Sequence, residues 1–202
     1  MKIIVISGPS GSGKTCLSNK LSKLLDNSIV IKTDSYYRDN LIIRFLSIFL
    51  YDIYDRPLSI KKNEINNTLR SIHNKDRLIS IYKYDFKRKT SSQSKININY
   101  KGDNQFLILE GIFSHRLGLN YQDTINIVCK EEKAICFKRR IKRDQIERGR
   151  NSREVYKKFN KSWYLFYKNI QNFLNRHKVM VVNPADKISY NKLVFNLLIK
   201  KK

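Results

Sequence analysis

The sequence predicts an α/β protein with a five-stranded parallel sheet flanked by helices on both faces. Three observations carry that prediction. Short apolar, β-branched runs alternate with helix-period segments along the chain. The first run passes through a glycine-rich loop straight into a helix, and single carboxylates stand just past the ends of two later runs. At 202 residues and 24.0 kDa the chain suffices for one domain with a sizeable core, and residues 1–202 are read as one domain without repeat or linker. Only 7 Gly and 3 Pro exclude a low-complexity or linker protein.

Ile3-Ile4-Val5-Ile6 reads as a strand buried on both faces. After the loop, Thr15–Asp26 carries Leu17, Leu21, Leu24 and Leu25 on one helical face. Ile29–Ile31 is a second strand, leading to Asp34. Helices follow over about Asp39–Tyr54 and Ile60–His73, the second opened by Pro57 and Ser59. Leu78–Tyr84 and Lys95–Tyr100 alternate apolar with polar residues, and Lys87–Ser92 joins them as the turn of a hairpin excursion over about 78–100. Phe106–Leu109 is a buried strand ending at Glu110, and Thr124–Cys129 is a fourth. Glu131–Glu147 is a basic helix stopped by Gly149. A long helix over Arg153–His177, a fifth strand at Val179–Val182 and a last helix over about Ser189–Lys200 complete the chain.

Forty-one Lys and Arg against 17 Asp and Glu leave a net charge of +24, a surface that attracts phosphates, nucleic acid or anionic lipid. The abundant Lys, Asn, Ile, Tyr and Phe share A/T-rich codons, which offers a route to that charge without any partner. Cys16, Cys129 and Cys136 form no CxxC pair and read as free thiols in a reducing, cytoplasmic setting. Leu41–Tyr54 is interrupted by Arg44 and Asp52 and reads as a buried helix, so no membrane association is expected. His73, His115 and His177 lack metal-ligand spacing and suit surface or capping positions, with His115 alone near the expected substrate side. The aromatic stripe Trp163, Tyr164, Phe166, Tyr167 and Phe173 suits core packing on the long helix.

Gly8-Pro9-Ser10-Gly11-Ser12-Gly13-Lys14-Thr15 fits GxxxxGK[ST] in full, between a strand and a helix. Glycines at these positions let backbone N–H groups converge on phosphate oxygens, with the field of the helix N-terminus behind them. Lys14 is placed to neutralise the β- and γ-phosphates and the Thr15 hydroxyl to ligate Mg²⁺. Asp34 and Glu110, past the ends of two strands, face the same region in an open parallel sheet. An acid there accepts the proton of an attacking hydroxyl or helps hold Mg²⁺. Together these residues predict phosphoryl transfer to a small acceptor.

Several segments resemble the uridine/cytidine kinase family, P-loop kinases related to phosphoribulokinase. Thr33-Asp34-Ser35-Tyr36-Tyr37-Arg38 is similar to the segment whose Asp is the general base. Tyr54-Asp55-Arg56-Pro57 is similar to the segment whose Asp binds the ribose hydroxyls, and Tyr82–Phe86 to the one whose Tyr, here Tyr84, lies against the base. Glu110-Gly111-Ile112 matches a Mg²⁺-holding Glu-Gly-Ile. Arg139-Arg140-Ile141-Lys142-Arg143-Asp144-Gln145-Ile146-Glu147-Arg148-Gly149-Arg150 resembles the family's arginine lid, here spanning about 140–155. The resemblance implies that Arg140 and Arg150 touch the nucleoside and that Arg143 and Arg148 meet the ATP phosphates. Asn183-Pro184-Ala185-Asp186 resembles the loop whose Asp lies near the adenine. Lys89 and Lys158 stand where the family has a base-side His and a nucleoside-contacting Gln.

The residues themselves fit a lid. Arg140 and Arg143 share a helical face, Arg148 and Arg150 flank Gly149, and Arg143–Glu147 is the expected i,i+4 ion pair if the helix is merely solvated. Forked, permanently charged guanidiniums suit a γ-phosphate as its charge spreads. The expected reaction is therefore transfer from ATP (or GTP) with Mg²⁺ to the 5′-hydroxyl of uridine or cytidine. One alternative keeps the kinase and changes the acceptor to a sugar phosphate or vitamin precursor, motivated by Lys89 and Lys158. The other is a basic nucleic-acid-binding ATP switch; without helicase motifs or a recognised binding module, no nucleic-acid partner is expected. A homo-oligomer is expected by analogy with relatives alone.

Overall fold

A computed structural model describes residues 1–26, 28–49, 56–88, 90–101, 105–119 and 124–199. Along the chain run β1 (Lys2–Ser7), α1 (Lys14–Leu24), β2 (Ser28–Lys32), α2 (Leu41–Phe49), α3 (Lys62–His73), β3 (Leu78–Asp85), β4 (Thr90–Asn97) and β5 (Phe106–Glu110). Then come β6 (Thr124–Cys129), α4 (Lys133–Arg148), α5 (Ser152–Arg176), β7 (Val179–Val182) and α6 (Lys187–Ile199). Short 3₁₀ turns lie at Thr33–Ser35, Pro57–Ser59 and Ser114–Leu117.

As the alternation of strands and helices predicts, five strands pair in parallel, and their order is β2-β5-β1-β6-β7. In β1 the alternation of side chains divides the core. Ile3 and Val5 face one layer with Ile65, Ile72, Phe166 and Ile170 of α3 and α5. Ile4 and Ile6 face the other with Leu17 and Leu21 of α1 and Leu193 and Leu197 of α6. Each such buried aliphatic side chain stabilises by roughly 1.5–3 kcal/mol.

Register then places the site. Glu110 pairs with Ile6 on one side and with Lys32 on the other. The loop after β1, the turn after β2 and the carboxylate ending β5 therefore emerge level at one edge of the sheet.

Two expectations are corrected. The hairpin partner of β3 begins at Thr90, with Leu78 opposite Asn97 and Asp85 opposite Thr90. The polar run Thr90–Ser94 is strand, because Asp85 Oδ1 accepts the N–H groups of Lys87 and Arg88 (2.8 and 3.0 Å) and tightens the turn. The helix expected to be buried is largely exposed: α2 seats Ile43, whereas Leu41, Ile42, Phe45 and Phe49 are 81, 67, 60 and 64 % exposed. Asn40 Oδ1 caps it by accepting the Ile43 N–H (3.1 Å). A short helix with apolar residues at seven of its nine positions can turn only one side inward. The expected continuation to Tyr54 and the last residues of the chain from 200 onward lie outside the described residues.

Candidate active site

The phosphate loop is held from behind by α4. Gly11 and Gly13 adopt φ of 89°, open to glycine at little cost. At Gly11 a Cβ would lie 2.3 Å from the carbonyl oxygen of Cys136, so α4 packs directly on the loop backbone. Arg139 Nη1 adds a bond to the Gly11 carbonyl (3.2 Å) and an ion pair to buried Glu131 (3.1 Å). Within the loop, the Ser12 N–H and Lys14 Nζ both donate to the Pro9 carbonyl, each at 3.2 Å. Ser12 Oγ is buried without a hydrogen-bond partner among the described residues. A glycine-permitted loop opening a helix, with a lysine ammonium lining the cavity, fits a nucleotide's triphosphate tail.

Thr15 Oγ1 donates to Glu110 Oε1 at 3.1 Å. Both are hard oxygen groups, and the pair fits Mg²⁺, which takes few protein ligands and completes its shell with water and phosphate oxygens. Among the described residues no cluster of three His, Cys, Asp or Glu exists that would suggest a fuller metal cage.

Asp34 sits on the turn after β2. Thr33 Oγ1 donates to the Glu110 carbonyl (3.2 Å) and shares a hydrogen bond with Ser114 Oγ (2.9 Å), which pins that turn against the end of β5. Both Asp34 carboxylate oxygens accept the Ile112 N–H, at 3.0 and 3.1 Å. The carboxylate is thus aimed by backbone that the sheet itself holds.

The arginines converge on one acid. Asp144 is fully buried, and Arg143 Nη2 and Nε donate to its Oδ1 at 2.8 and 3.0 Å. Arg148 Nη1 lies 3.4 Å from the same oxygen, while Arg150 Nη1 donates to Oδ2 at 2.9 Å and Arg140 Nε lies 3.6 Å from it. Burial alone would raise the Asp144 carboxyl, but the charges of Arg148, Arg143 and Arg140 outweigh it and hold it below the usual range. Burial and neighbouring Arg143 pull Arg148 down to about 10. Arg143 Nη2 also reaches Ser10 Oγ (3.2 Å), and the Arg148 guanidinium lies 3.7 Å from the centre of the Phe86 ring at the hairpin tip. The Arg143–Glu147 pair expected for a solvated helix gives way to these contacts.

A polar cavity of about 280 Å³ joins these parts. It is lined by Ser10, Lys14, Thr15, Asp34, Glu110, Arg140, Arg143, Arg148, Arg150 and Lys158, so most sequence-selected side chains share one space. Lys32, Tyr37, Phe86 and Glu147 line it too, although the sequence singled out none of them for this site. Tyr84 stands behind that wall, packed on Tyr37 and Phe86 with ring centres 5.4 and 5.0 Å apart. Asp186 does not line the cavity; its carboxylate accepts the N–H groups of Ile188 and Ser189 at the start of α6, while Pro184 of the same loop lies against Gly13. Asp55 and Lys89 lie outside the described residues. Lys158 Nζ is ion-paired at 2.6 Å with Glu154, a carboxylate it shares with Arg150 (3.8 Å).

His115, expected at the surface or near substrate, is instead buried among Phe113, Phe166 and Phe173. Burial, then Arg116, lowers its pKa to about 4. Its backbone N–H donates to Ser7 Oγ (2.9 Å) at the end of β1, and the ring packs against Phe166 and Phe173 of α5. The cysteines are free as expected; burial pushes Cys129 and Cys136 up to about 12 and about 11.

A glycine-rich loop at a helix start, an acid at the end of the next strand and an arginine-bearing helix closing over both define a P-loop phosphotransferase. The sequence profile of the phosphoribulokinase / uridine kinase family matches residues 3–188, and the chain belongs to that family. It is 33% identical over 162 residues to a uridine kinase of Ureaplasma parvum serovar 3, covering 76% of this chain and 73% of that one. A uridine kinase of Borrelia hermsii is 30% identical over 161 residues, covering 79% and 75%. A solved structure described as a possible uridine kinase, from Bacillus stearothermophilus, shares the fold with a TM-score of 0.55 and 16% identity, covering 89% of this chain and 87% of that one.

Proposed function

We propose that the protein is an ATP-dependent nucleoside kinase that moves the γ-phosphate of ATP to the 5′-hydroxyl of uridine or cytidine. The observation that carries this reading is the shared strand-end edge, where Lys14, Thr15, Asp34 and Glu110 line one cavity with four arginines. In this reading the backbone of Gly8, Pro9, Ser10, Gly11, Ser12 and Gly13 cradles the phosphates, and Lys14 neutralises them. Thr15 and Glu110 hold Mg²⁺, which when bound screens the phosphate charge. Asp34 accepts the hydroxyl proton, and Arg143 and Arg148 stabilise the charge spreading over the transferring group. Arg140, Arg150 and Asp55 serve the nucleoside, Tyr84 backs the Tyr37 and Phe86 wall of its cavity, and Asp186 stands on the adenine side. Catalysis is then mainly positioning and electrostatic stabilisation.

A neutral acceptor is favoured over a phosphorylated one because, of the two cations that motivated the latter, Lys158 is already paired with Glu154, while Lys89 lies outside the described residues. Such an enzyme works in the cytoplasm and returns pyrimidine nucleosides to the nucleotide pool. No helix among the described residues is long and apolar enough to cross a membrane. The test is a competition: purified protein, ATP and Mg²⁺ with uridine, cytidine and a panel of sugar phosphates and vitamin precursors. Consumption of uridine or cytidine is expected. Consumption of a phosphorylated acceptor alone overturns the nucleoside assignment.

A further inference from the structure

Four guanidiniums within eleven residues of chain repel one another, yet a phosphoryl-transfer site needs them held to within fractions of an ångström. Each has two anchors here. Arg143 is strung between Asp144 and Ser10 of the phosphate loop, and Arg148 between Asp144 and the Phe86 ring. Arg140 lies between Asp144 and Ser162 of α5 (2.7 Å), and Arg150 between Asp144 and Glu154. The second anchors belong to three different elements, the phosphate loop, the hairpin and α5, whereas Asp144 is common to all four arginines. Its own position is fixed, because its backbone carbonyl accepts the Arg150 N–H at 3.2 Å where α4 ends.

We propose that Asp144 is the positioning residue of the arginine lid: one buried carboxylate sets the spacing and direction of Arg140, Arg143, Arg148 and Arg150 over the phosphate loop. It touches no phosphate itself and acts through the guanidiniums, chiefly Arg143, which is the one tied to the loop. This rests on the phosphotransferase reading above and adds a residue that reading does not use.

Removing the carboxylate charge has opposite consequences for binding and for turnover. The cavity becomes more positive, so ATP is attracted at least as well. The guanidiniums lose their common anchor, so the charge developing in transfer is met less well. Asp144→Asn, nearly isosteric, is expected to lower kcat about 100-fold, the scale of an ångström's misplacement, with the KM for ATP within about threefold of wild type. Circular dichroism and thermal melting on the same samples supply the folded fraction by which kcat is normalised. In an Arg143→Ala background the same Asp144→Asn step is expected to cost at least about fivefold less than in wild type, since its main intermediary is gone. Asp144→Glu, which keeps the charge, recovers kcat to within about tenfold of wild type with the KM for ATP unchanged, and it carries the test alone if the Asn variant does not fold.

The same ratios are read on slow hydrolysis of ATP by water, which needs no nucleoside. An inactive wild type in the nucleoside assay therefore counts against the acceptor, and the hydrolysis ratios still decide the role of Asp144. Equal cost of Asp144→Asn in both backgrounds would overturn the proposal. So would a KM rising in step with the loss of kcat in either variant, or a loss accounted for by unfolding.

Discussion

Asp34→Asn separates chemistry from binding. The variant keeps a carbonyl oxygen where Oδ1 now accepts the Ile112 N–H at 3.0 Å, and Thr33 still ties the turn to Glu110 and Ser114. The turn and the sheet edge should therefore stand, and the melting temperature should move by only a few degrees, as for a partly buried change of about 1 kcal/mol. What is lost is the proton acceptor. Positioned general bases contribute about 10²–10⁴-fold, or roughly 3–5 kcal/mol of barrier. Turnover of uridine or cytidine is expected to fall by that factor, while ATP affinity, measured by titration calorimetry with Mg²⁺, stays within about threefold. A folded variant turning over within about fivefold of wild type would remove Asp34 from the proton transfer. Loss of ATP binding in step with turnover would show that the carboxylate acts on the nucleotide instead.

Three further outcomes follow from the structure. Lys14→Ala removes the only side-chain cation of the loop, and ATP affinity should drop about 100-fold, the scale of one or two charged hydrogen bonds; tight binding by this variant would contradict the loop assignment. His115 is buried with its pKa lowered to about 4, so the unfolded chain binds the extra proton below pH 6.5. Stability is then full above pH 6.5 and falls by up to about 3 kcal/mol as pH drops toward 4; urea unfolding should show it, and His115→Phe should flatten that slope. An unchanged slope in the variant would place the titration elsewhere. Of the thiols, Cys16 is exposed while Cys129 and Cys136 are buried, so iodoacetamide should label Cys16 alone in the folded protein, and modification of all three at equal rates would refute that burial.

The parts of the site written in local chemistry were legible in the sequence. The loop needs glycine, lysine and threonine at fixed spacing on a strand-to-helix turn, and Asp34 and Glu110 inherit their place from strand ends that apolar runs reveal. Parts that depend on a choice among equivalent partners were not. Arg143 had Glu147 at i+4 and Asp144 beside it, and only the tertiary structure buries Asp144 and makes it the shared partner. His115 looked like a surface residue because nothing in a single sequence says that Phe113, Phe166 and Phe173 will surround it. Segment 41–49 gave the right element and the wrong environment, since a mostly apolar segment does not say which side finds a neighbour. In the hairpin, the serine-rich run carried no apolar alternation, so its pairing with β3 was not legible.

The central claim is that this cavity joins a nucleotide's terminal phosphate to a nucleoside hydroxyl. Following uridine, ATP and Mg²⁺ with the wild-type protein by phosphorus NMR tests it most directly. One 5′-monophosphate per ADP formed, with both arising at the same rate, is the predicted result. ADP accumulating without a phosphorylated nucleoside, or phosphate appearing on a ribose position other than the 5′ one, would contradict it.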